Sequence, residues 1–472
     1  MDTPRIPGLT EAEYGALSAC WGQLQRTRPH NELRTAYYDL DSRLKQISNV
    51  IPQQYYHAAR TLSWNTRNVD KLVERSTIDA VNWADGDVDD LGWGEIARDN
   101  FIRAEINSAL VSSVTHGVSW LVASQGIDAA EPDVMVHAYD ALQATGLWNG
   151  RTRRLDAFMA VDEYTDGEVT GVTLWTPNLV TVCRKRGSWT VERSEHQYGV
   201  PAEPVVYRPR PPRRPFGYSR ITKSTMDVQD RALRTLVRLE GMSDIYSFAE
   251  QFVIGATPDD FVTGNNGGPN PWGRMMGRWK GIADDSEADD PKLARVQIEQ
   301  LQAQSPDPHI AAFRLHAGIF SGETGIPITE LGVIAEMNSS TQDSSENSQQ
   351  HLIDAADSAK EDWTPQLQRI IVSALAMKNG IPADEVPSEW RTVQPVFRDS
   401  RFISRSAAAD AGLKLIQAVP WIGETSIGLS KLGLSQQEID LALAERRRIV
   451  GRQAVMSLGS TVEAARVATA ES

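Results

Sequence analysis

Residues 338–350 read NSSTQDSSENSQQ and contain no apolar side chain. Directly after them come Leu352, Ala356, Ala359, Trp363, Leu367, Ile370 and Ala374, in steps of four and three that hold one stripe on a helix. A helix with a wholly polar start and an apolar continuation does not suit a self-contained core. Its first turns need water on most sides or a copy of themselves beside them. The segment is therefore expected to repeat around a water-filled axis. Pro365 lies inside the stripe, where it removes a backbone donor and crowds the preceding turn, so a kink rather than an end is expected there. Upstream, Ser305-Pro306-Asp307-Pro308 restarts the chain into a helix running to about Phe320, and Gly322, Gly325 and Pro327 break it. Asn379-Gly380 supplies a C-terminal cap for the long helix.

The N-terminal part is read as helices followed by strands. Thr10 and Glu13 form a capping box before a helix that carries Leu17, Cys20, Trp21 and Leu24 inward. A second helix is expected from about His30 and a third over 65–76, with Val69, Leu72 and Val73 inward and Arg67, Asp70, Lys71 and Glu74 on a solvated face. One long amphipathic helix is expected over 95–114. From Ser119 to Val200 the period changes to two, with strands at 119–123, 134–138, 154–161, 169–175, 180–184 and 188–193. Helices with an antiparallel sheet make the fold class α+β. Residues 205–220, VVYRPRPPRRPFGYSR, form a proline-rich strap in which Arg208, Arg210, Arg213, Arg214 and Arg220 concentrate positive charge. Two readings of it stand: a surface strap tied to acidic neighbours, or a contact to nucleic acid or an acidic partner.

A helix over 221–251 leads into a glycine-rich insertion, 252–304, that carries Trp272, Met275, Met276 and Trp279 and an acidic run from Asp284 to Asp290. Large apolar side chains on an insertion too small for its own core point to burial against another chain. After it, Trp390 to Phe397 alternates as a strand that Pro395 places at an edge or bulge. Helices are expected near 402–419, 436–449 (capped by Ser435 with Glu438) and 460–470. Arg446, Arg447 and Arg448 suit the end of the middle one.

Chemistry leaves no signature. Neither a phosphate-binding glycine loop with its lysine nor a dinucleotide fingerprint is present, and H-E-x-x-H, C-x-x-C and G-x-S-x-G are also absent. His309 and His316 share a helix face without further ligands, and Asp89-Asp90 and Asp284-Asp285 read as solvated loops, so no metal, cofactor or catalytic residue is expected. The two cysteines give no disulfide framework. The N-terminal MDTPRIPGLTEAEY has no apolar core for a signal peptide, and no apolar run is long enough to span a membrane. A net charge of −14 argues against tight DNA gripping, which rests on Lys and Arg against phosphate, but not against a passage through which DNA slides.

In four segments the chain resembles the portal proteins of tailed bacteriophages, of the siphophage type common in phages of actinobacteria. These are L-R-x-A-Y-Y at Leu33–Tyr38, the stretch Asn65–Arg75, P-F-G-Y-S-R-I-T at Pro215–Thr222 leading by a long helix to F-V-I-G-A at Phe252–Ala256, and G-x-P-I-T-E-L-G at Gly325–Gly332. The resemblance implies a dodecameric ring around a DNA channel at one vertex of the capsid. It implies a wing over residues 1–220 with a return strand at 385–400, stem helices at 221–251 and 305–325, a small β-containing clip at 252–304, a tunnel loop at 326–345, a long kinked helix at 346–380 and a helical crown at 401–472. The tunnel loop would present Asn338, Ser339, Ser340, Thr341, Gln342, Asp343, Ser344 and Ser345 to DNA. Its uncharged groups would make short phosphate contacts without a deep well, and Asp343 would push phosphate away. Trp272, Met275, Met276 and Trp279 would dock a partner.

The function so implied is a non-enzymatic conduit for double-stranded DNA in packaging and ejection. Its partners would be its own copies, the large subunit of the terminase (the packaging ATPase), the head–tail adaptor, the major capsid protein and the scaffolding protein. It would have no membrane association, would sit in the virion and would assemble in the host cytoplasm. The alternatives are another head–tail connector ring that never meets the motor, which chain length disfavours, and a hydrolase without a recognisable constellation.

Overall fold

A computed structural model describes residues 3–41, 62–126, 131–246, 305–333, 342–401, 405–434, 438–439 and 441–452, together with the backbone of three short strands between 251 and 300. Helix α1 (Glu11–Tyr38) opens on the capping box: Thr10 Oγ1 accepts from the Glu13 N–H, and the Glu13 carboxylate accepts from the Thr10 N–H. The second helix expected from His30 is a continuation of α1 through Pro29. Thr27 Oγ1 donates to the Leu24 carbonyl at 3.1 Å in the turn that the proline deprives of one bond.

Helix α2 (Trp64–Glu74) buries Val69, Leu72 and Val73 as expected, and β1 (Ile78–Asn82) follows. The single helix expected over 95–114 divides into α3 (Trp93–Asp99) and α4 (Ile102–His116), with Phe101 in the left-handed region at φ 48°. Asn100 explains the break. Its side chain donates to the Val134 carbonyl at 2.8 Å and accepts the Val136 N–H at 2.8 Å, so it is spent on a strand edge.

That edge belongs to a three-stranded antiparallel sheet, ordered β3-β2-β9, of β2 (Val118–Gln125), β3 (Val134–Tyr139) and β9 (Ala202–Val206). A five-stranded antiparallel meander takes the chain between them: β4 (Ala144–Asn149), β5 (Arg154–Thr165), β6 (Glu168–Thr176), β7 (Leu179–Arg186) and β8 (Ser188–Glu195). The period-two reading located six of these strands. It missed β4 and left β9 unassigned but for its last two residues, which it gave to the strap. Alternation then builds the layers. On β5, Ala157, Met159 and Val161 meet Leu17, Cys20, Trp21 and Leu24 of α1. Phe158 and Ala160 point the other way, to Trp120 and Val122 of β2, with the Trp120 and Phe158 rings 5.3 Å apart. The opposite side of β2, Leu121 and Ala123, joins the largest core.

Helix α5 (Lys223–Tyr246) leads to β10 (Gln251–Ile254), β11 (Trp279–Ile282) and β12 (Gln297–Gln300), which form a small sheet with β10 in the centre. The chain returns through α6 (Asp307–Thr324), capped by Gly325 at φ 72°. Helix α7 (Gln342–Lys378) lies against β9, β2 and β3, and all seven residues of its expected stripe are buried. It runs unbroken through Pro365, which sits on the exposed side with Asp354, Ser358 and Glu361, so the carbonyl that loses its donor faces solvent. Beyond it, β13 (Gln394–Phe397) pairs with β1 in a two-stranded sheet where Pro395 opposes Val81. Helices α8 (Arg405–Ala418) and α9 (Ser426–Lys431) follow, and 441–452 is helical. The expected helix over 460–470 lies outside the described residues.

Candidate functional site at the base of the helix pair

The stretches Leu33–Tyr38, Asn65–Arg75, Pro215–Thr222 and Gly325–Gly332 of the family resemblance converge on one buried polar junction. Arg220, 6% exposed, donates from Nε to the carbonyl and side-chain oxygens of Asn68 at 2.9 and 2.7 Å. Its two terminal nitrogens reach the Tyr207 hydroxyl at 3.1 Å and the Thr324 carbonyl at 2.7 Å. Asn68 Nδ2 donates back to the Arg220 carbonyl at 3.1 Å. The middle of α2, the chain just after β9 and the end of α6 are thus held by one planar fork, a geometry that lysine cannot supply. Around it, Asn65 bonds Gln229, Tyr37 donates to Asp230, Tyr38 donates to Asp70, and Trp64 Nε1 donates to the Leu331 carbonyl. Arg67 also donates to the Glu330 carbonyl. The face of α2 expected to be solvated is therefore partly engaged: Asp70 is held by Tyr38, and Lys71 pairs with Glu74 and Glu330.

This junction fixes how α5 and α6 leave the body. Helix α5 is tied at its first turns, through Thr225 and Gln229 to Asn65. Helix α6 is tied at its last turns, where Phe320 packs against Trp64 with centroids 5.4 Å apart. The two helices therefore run antiparallel. Helix α6 is apolar on two sides. Phe313, Ala317 and Phe320 face inward, while Leu315 at 63% exposure and Ile319 at 43% stand one turn apart on the outer side, flanked by Ala311, Gly318 and Gly322. One packed partner accounts for one apolar stripe, not two. The second stripe was legible as Leu315 and Ile319 spaced four apart, but the sequence reading stopped at the existence of the helix.

The strap begins on β9 and turns over the same junction. Gly217, at φ 63°, closes it against Tyr207: a Cβ there would lie 2.0 Å from the Tyr207 carbonyl oxygen. The backbones of Arg210 and Arg214 bond each other reciprocally at 3.0 and 2.8 Å. The guanidiniums of Arg210 and Arg214 lie 5.5 and 4.5 Å from the Tyr218 ring centroid, and that of Arg208 lies 5.2 Å from Tyr207. The tie to an acidic neighbour is present at Arg208, whose backbone N–H and charge act on the Asp362 carboxyl against the effect of burial. Among the described residues Arg208, Arg210, Arg213 and Arg214 enter no side-chain ion pair within 4 Å, and stacking holds Arg208, Arg210 and Arg214 at about 0.5–1 kcal/mol per contact. Arg220, grouped with them by composition, is an interior residue. Nearby, burial and the Arg34 charge push the His116 imidazole down to about 4, so it stays neutral between Thr35 and Ser112.

Other site residues expected from sequence fall elsewhere. Asn338, Ser339, Ser340 and Thr341 lie outside the described residues, and Gln342, Asp343, Ser344 and Ser345 are described only as the backbone of the first turn of α7. Trp272, Met275 and Met276 also lie outside them, and Trp279 is described only as the backbone start of β11. Among the described residues no group of three or more His, Cys, Asp or Glu side chains converges, and no helix is long and apolar enough to cross a membrane.

Comparison with known proteins assigns the family. The profile of the phage portal protein family, SPP1 Gp6-like, matches residues 17–452. The chain belongs to that family. No curated protein matches it. Among solved structures, it is similar to a chain of the neck of a native gene transfer agent particle computed with C12 symmetry. That match is 11% identical, covers 83% of this chain and 93% of that one, and has a TM-score of 0.36. It is also similar to a chain of the virion of a native gene transfer agent particle, at 14% identity, 81% and 94% coverage and a TM-score of 0.37.

Proposed function

We propose that this portal-family chain assembles into a closed ring at a capsid vertex and conducts double-stranded DNA through its centre during packaging and ejection. The observation that carries the reading is the outer stripe of α6. Leu315 and Ile319 are exposed on a helix whose other side is already packed, and the ready cover for such a stripe is the next copy of the same chain. A contact between different surfaces of identical subunits propagates head to tail, and it closes into a ring when its rotation divides a full turn.

In this reading the buried junction at Arg220 is the rigid base from which α5 and α6 project as the stem. The sheet β10–β12 at the far end of the pair belongs to the clip that docks the terminase and the head–tail adaptor. The polar segment ahead of α7 supplies the tunnel loop, and its near-neutral, partly acidic chemistry suits a passage that must not bind. The chain carries no catalytic role. Imaging the purified protein down its particle axis tests the proposal: a ring enclosing an open centre is expected, and a filled globule contradicts it.

A further inference from the structure

The second half of α7, strand β9 and the segment after α7 enclose a recess of about 410 Å³, remote from the stem pair and unused by the ring reading. Three arginines line it, Arg154, Arg369 and Arg391, together with Glu203 and Asp384. Glu203 stands on β9 at 8% exposure, with Arg369 at 3.5 Å. Arg369 is held from behind, donating to the carbonyls of Arg153 at 3.1 Å and Pro365 at 3.3 Å. Among the described residues, no ion pair within 4 Å engages Arg154 or Arg391. Burial pushes the Glu203 carboxyl up to about 7, against the pull of Arg369 and Arg154. Near neutrality, then, the recess holds more positive than negative charge, and its one buried carboxylate is only partly ionised.

Converging guanidiniums in a half-enclosed space repel one another and gain when an anion enters, most of all one they grip in pairs. The remaining wall says which anion. Val372, Ala376 and Val386 give it apolar surface, and Ser373 and Gln368 give it amide-matching polar groups. A bare phosphate would leave that wall uncovered, and a recess of this volume admits a chain segment but not a double helix. We propose that this recess docks a short acidic peptide segment of a partner protein, with Arg154 and Arg391 taking its carboxylates and Arg369 as the fixed third donor.

No residue of α5 or α6 lines the recess, so this docking does not depend on the ring. Its test is the fluorescence anisotropy of a labelled hexaglutamate peptide titrated with the full-length protein at low salt. Saturable binding is expected, weakened at least about tenfold by Arg154→Gln with Arg391→Gln. Binding should be unchanged by Arg210→Gln with Arg213→Gln and Arg214→Gln on the strap. Both arginines of the first pair are exposed, and unchanged circular dichroism and thermal midpoint show that the variant is folded. Glu203 faces Arg369 and Arg154, with Arg391 and Asp384 also on the recess wall, so affinity should fall as pH rises from about 6 to 8, and Glu203→Gln should flatten that dependence. Absence of saturable binding, equal binding by the Arg154/Arg391 variant, loss through the strap variant instead, or complete displacement by stoichiometric inorganic phosphate would each overturn the proposal.

Discussion

Arg220 and Asn68 bind each other in both directions: the arginine Nε reaches both oxygens of the asparagine at 2.9 and 2.7 Å, and the Asn68 amide returns to the Arg220 carbonyl at 3.1 Å. The guanidinium is buried, and its mapped partners are all neutral oxygens. Its positive charge is compensated by dipoles converging from α2, the strap and the end of α6, which makes the pair a registration device for three chain segments.

Arg220→Ala should therefore cost more than surface substitutions do. It strands the Tyr207 hydroxyl and the Thr324 carbonyl in the interior, and about 3 kcal/mol of stability is expected to be lost. Arg220→Lys should recover part of this, since one ammonium cannot span the fork. Urea unfolding checks both, and a midpoint unmoved by Arg220→Ala would show that the junction does not hold the body together.

Glu13 ties the start of α1 to the five-stranded sheet. Arg193 grips its carboxylate at 2.7 and 2.8 Å, and Thr181 donates at 2.9 Å. The Arg193 hydrogen bonds hold its carboxyl well below the ordinary range, against the effect of burial. A depressed carboxyl contributes stability that is complete above its unfolded value, near 4.3, and is lost as pH falls toward the folded one. Glu13→Gln should destabilise the protein at pH 7, with the gap to wild type closing below about pH 4. Thermal melts across that range measure it, and a gap independent of pH would refute the linkage.

Glu203 has the opposite sign. Its folded carboxyl is raised to about 7 by burial, so any stability it contributes is complete below the unfolded value and is lost as pH climbs through 7. Glu203→Gln should match wild type near pH 4 and exceed it at pH 8 by up to about 3 kcal/mol. Equal stabilities at pH 8 would mean the carboxylate is better solvated than its position on β9 implies.

Two alterations probe the proposed conduit. Deleting residues 336–344 should leave assembly intact but impair DNA packaging or retention, and normally filled heads would rule out the channel role. Replacing Trp272 and Trp279 by alanine should leave the ring assembled and weaken capture of the head–tail partner, and undiminished co-purification would count against docking there.

Much of the body was legible because its periods are clean. The stripe from Leu352 to Ala374 is buried throughout, and the alternation along β5 predicts which side chains meet α1 and which meet β2. What escaped was decided by side chains spent at a distance. Asn100 ends α3 because β3 needs its amide, and nothing in the local sequence announces that. Arg220 looked like the last of a basic run because composition does not distinguish a guanidinium that turns inward. The strap reading kept the charges and an acidic neighbour, Asp362 beside Arg208, but missed the tyrosines of the strap on which Arg208, Arg210 and Arg214 stack. Pro29 and Pro365, both inside helices, show that proline marks a missing bond rather than a boundary when the rest of the turn is held.

The most direct test of the ring is native mass spectrometry of the purified chain beside a Leu315→Asp, Ile319→Asp variant. Both side chains are exposed in the single subunit, so the variant should keep its fold and melting temperature. The wild type is predicted to run as one closed oligomer and the variant as monomer. A wild type that stays monomeric at micromolar concentration, or a variant that closes the same ring, would contradict the account.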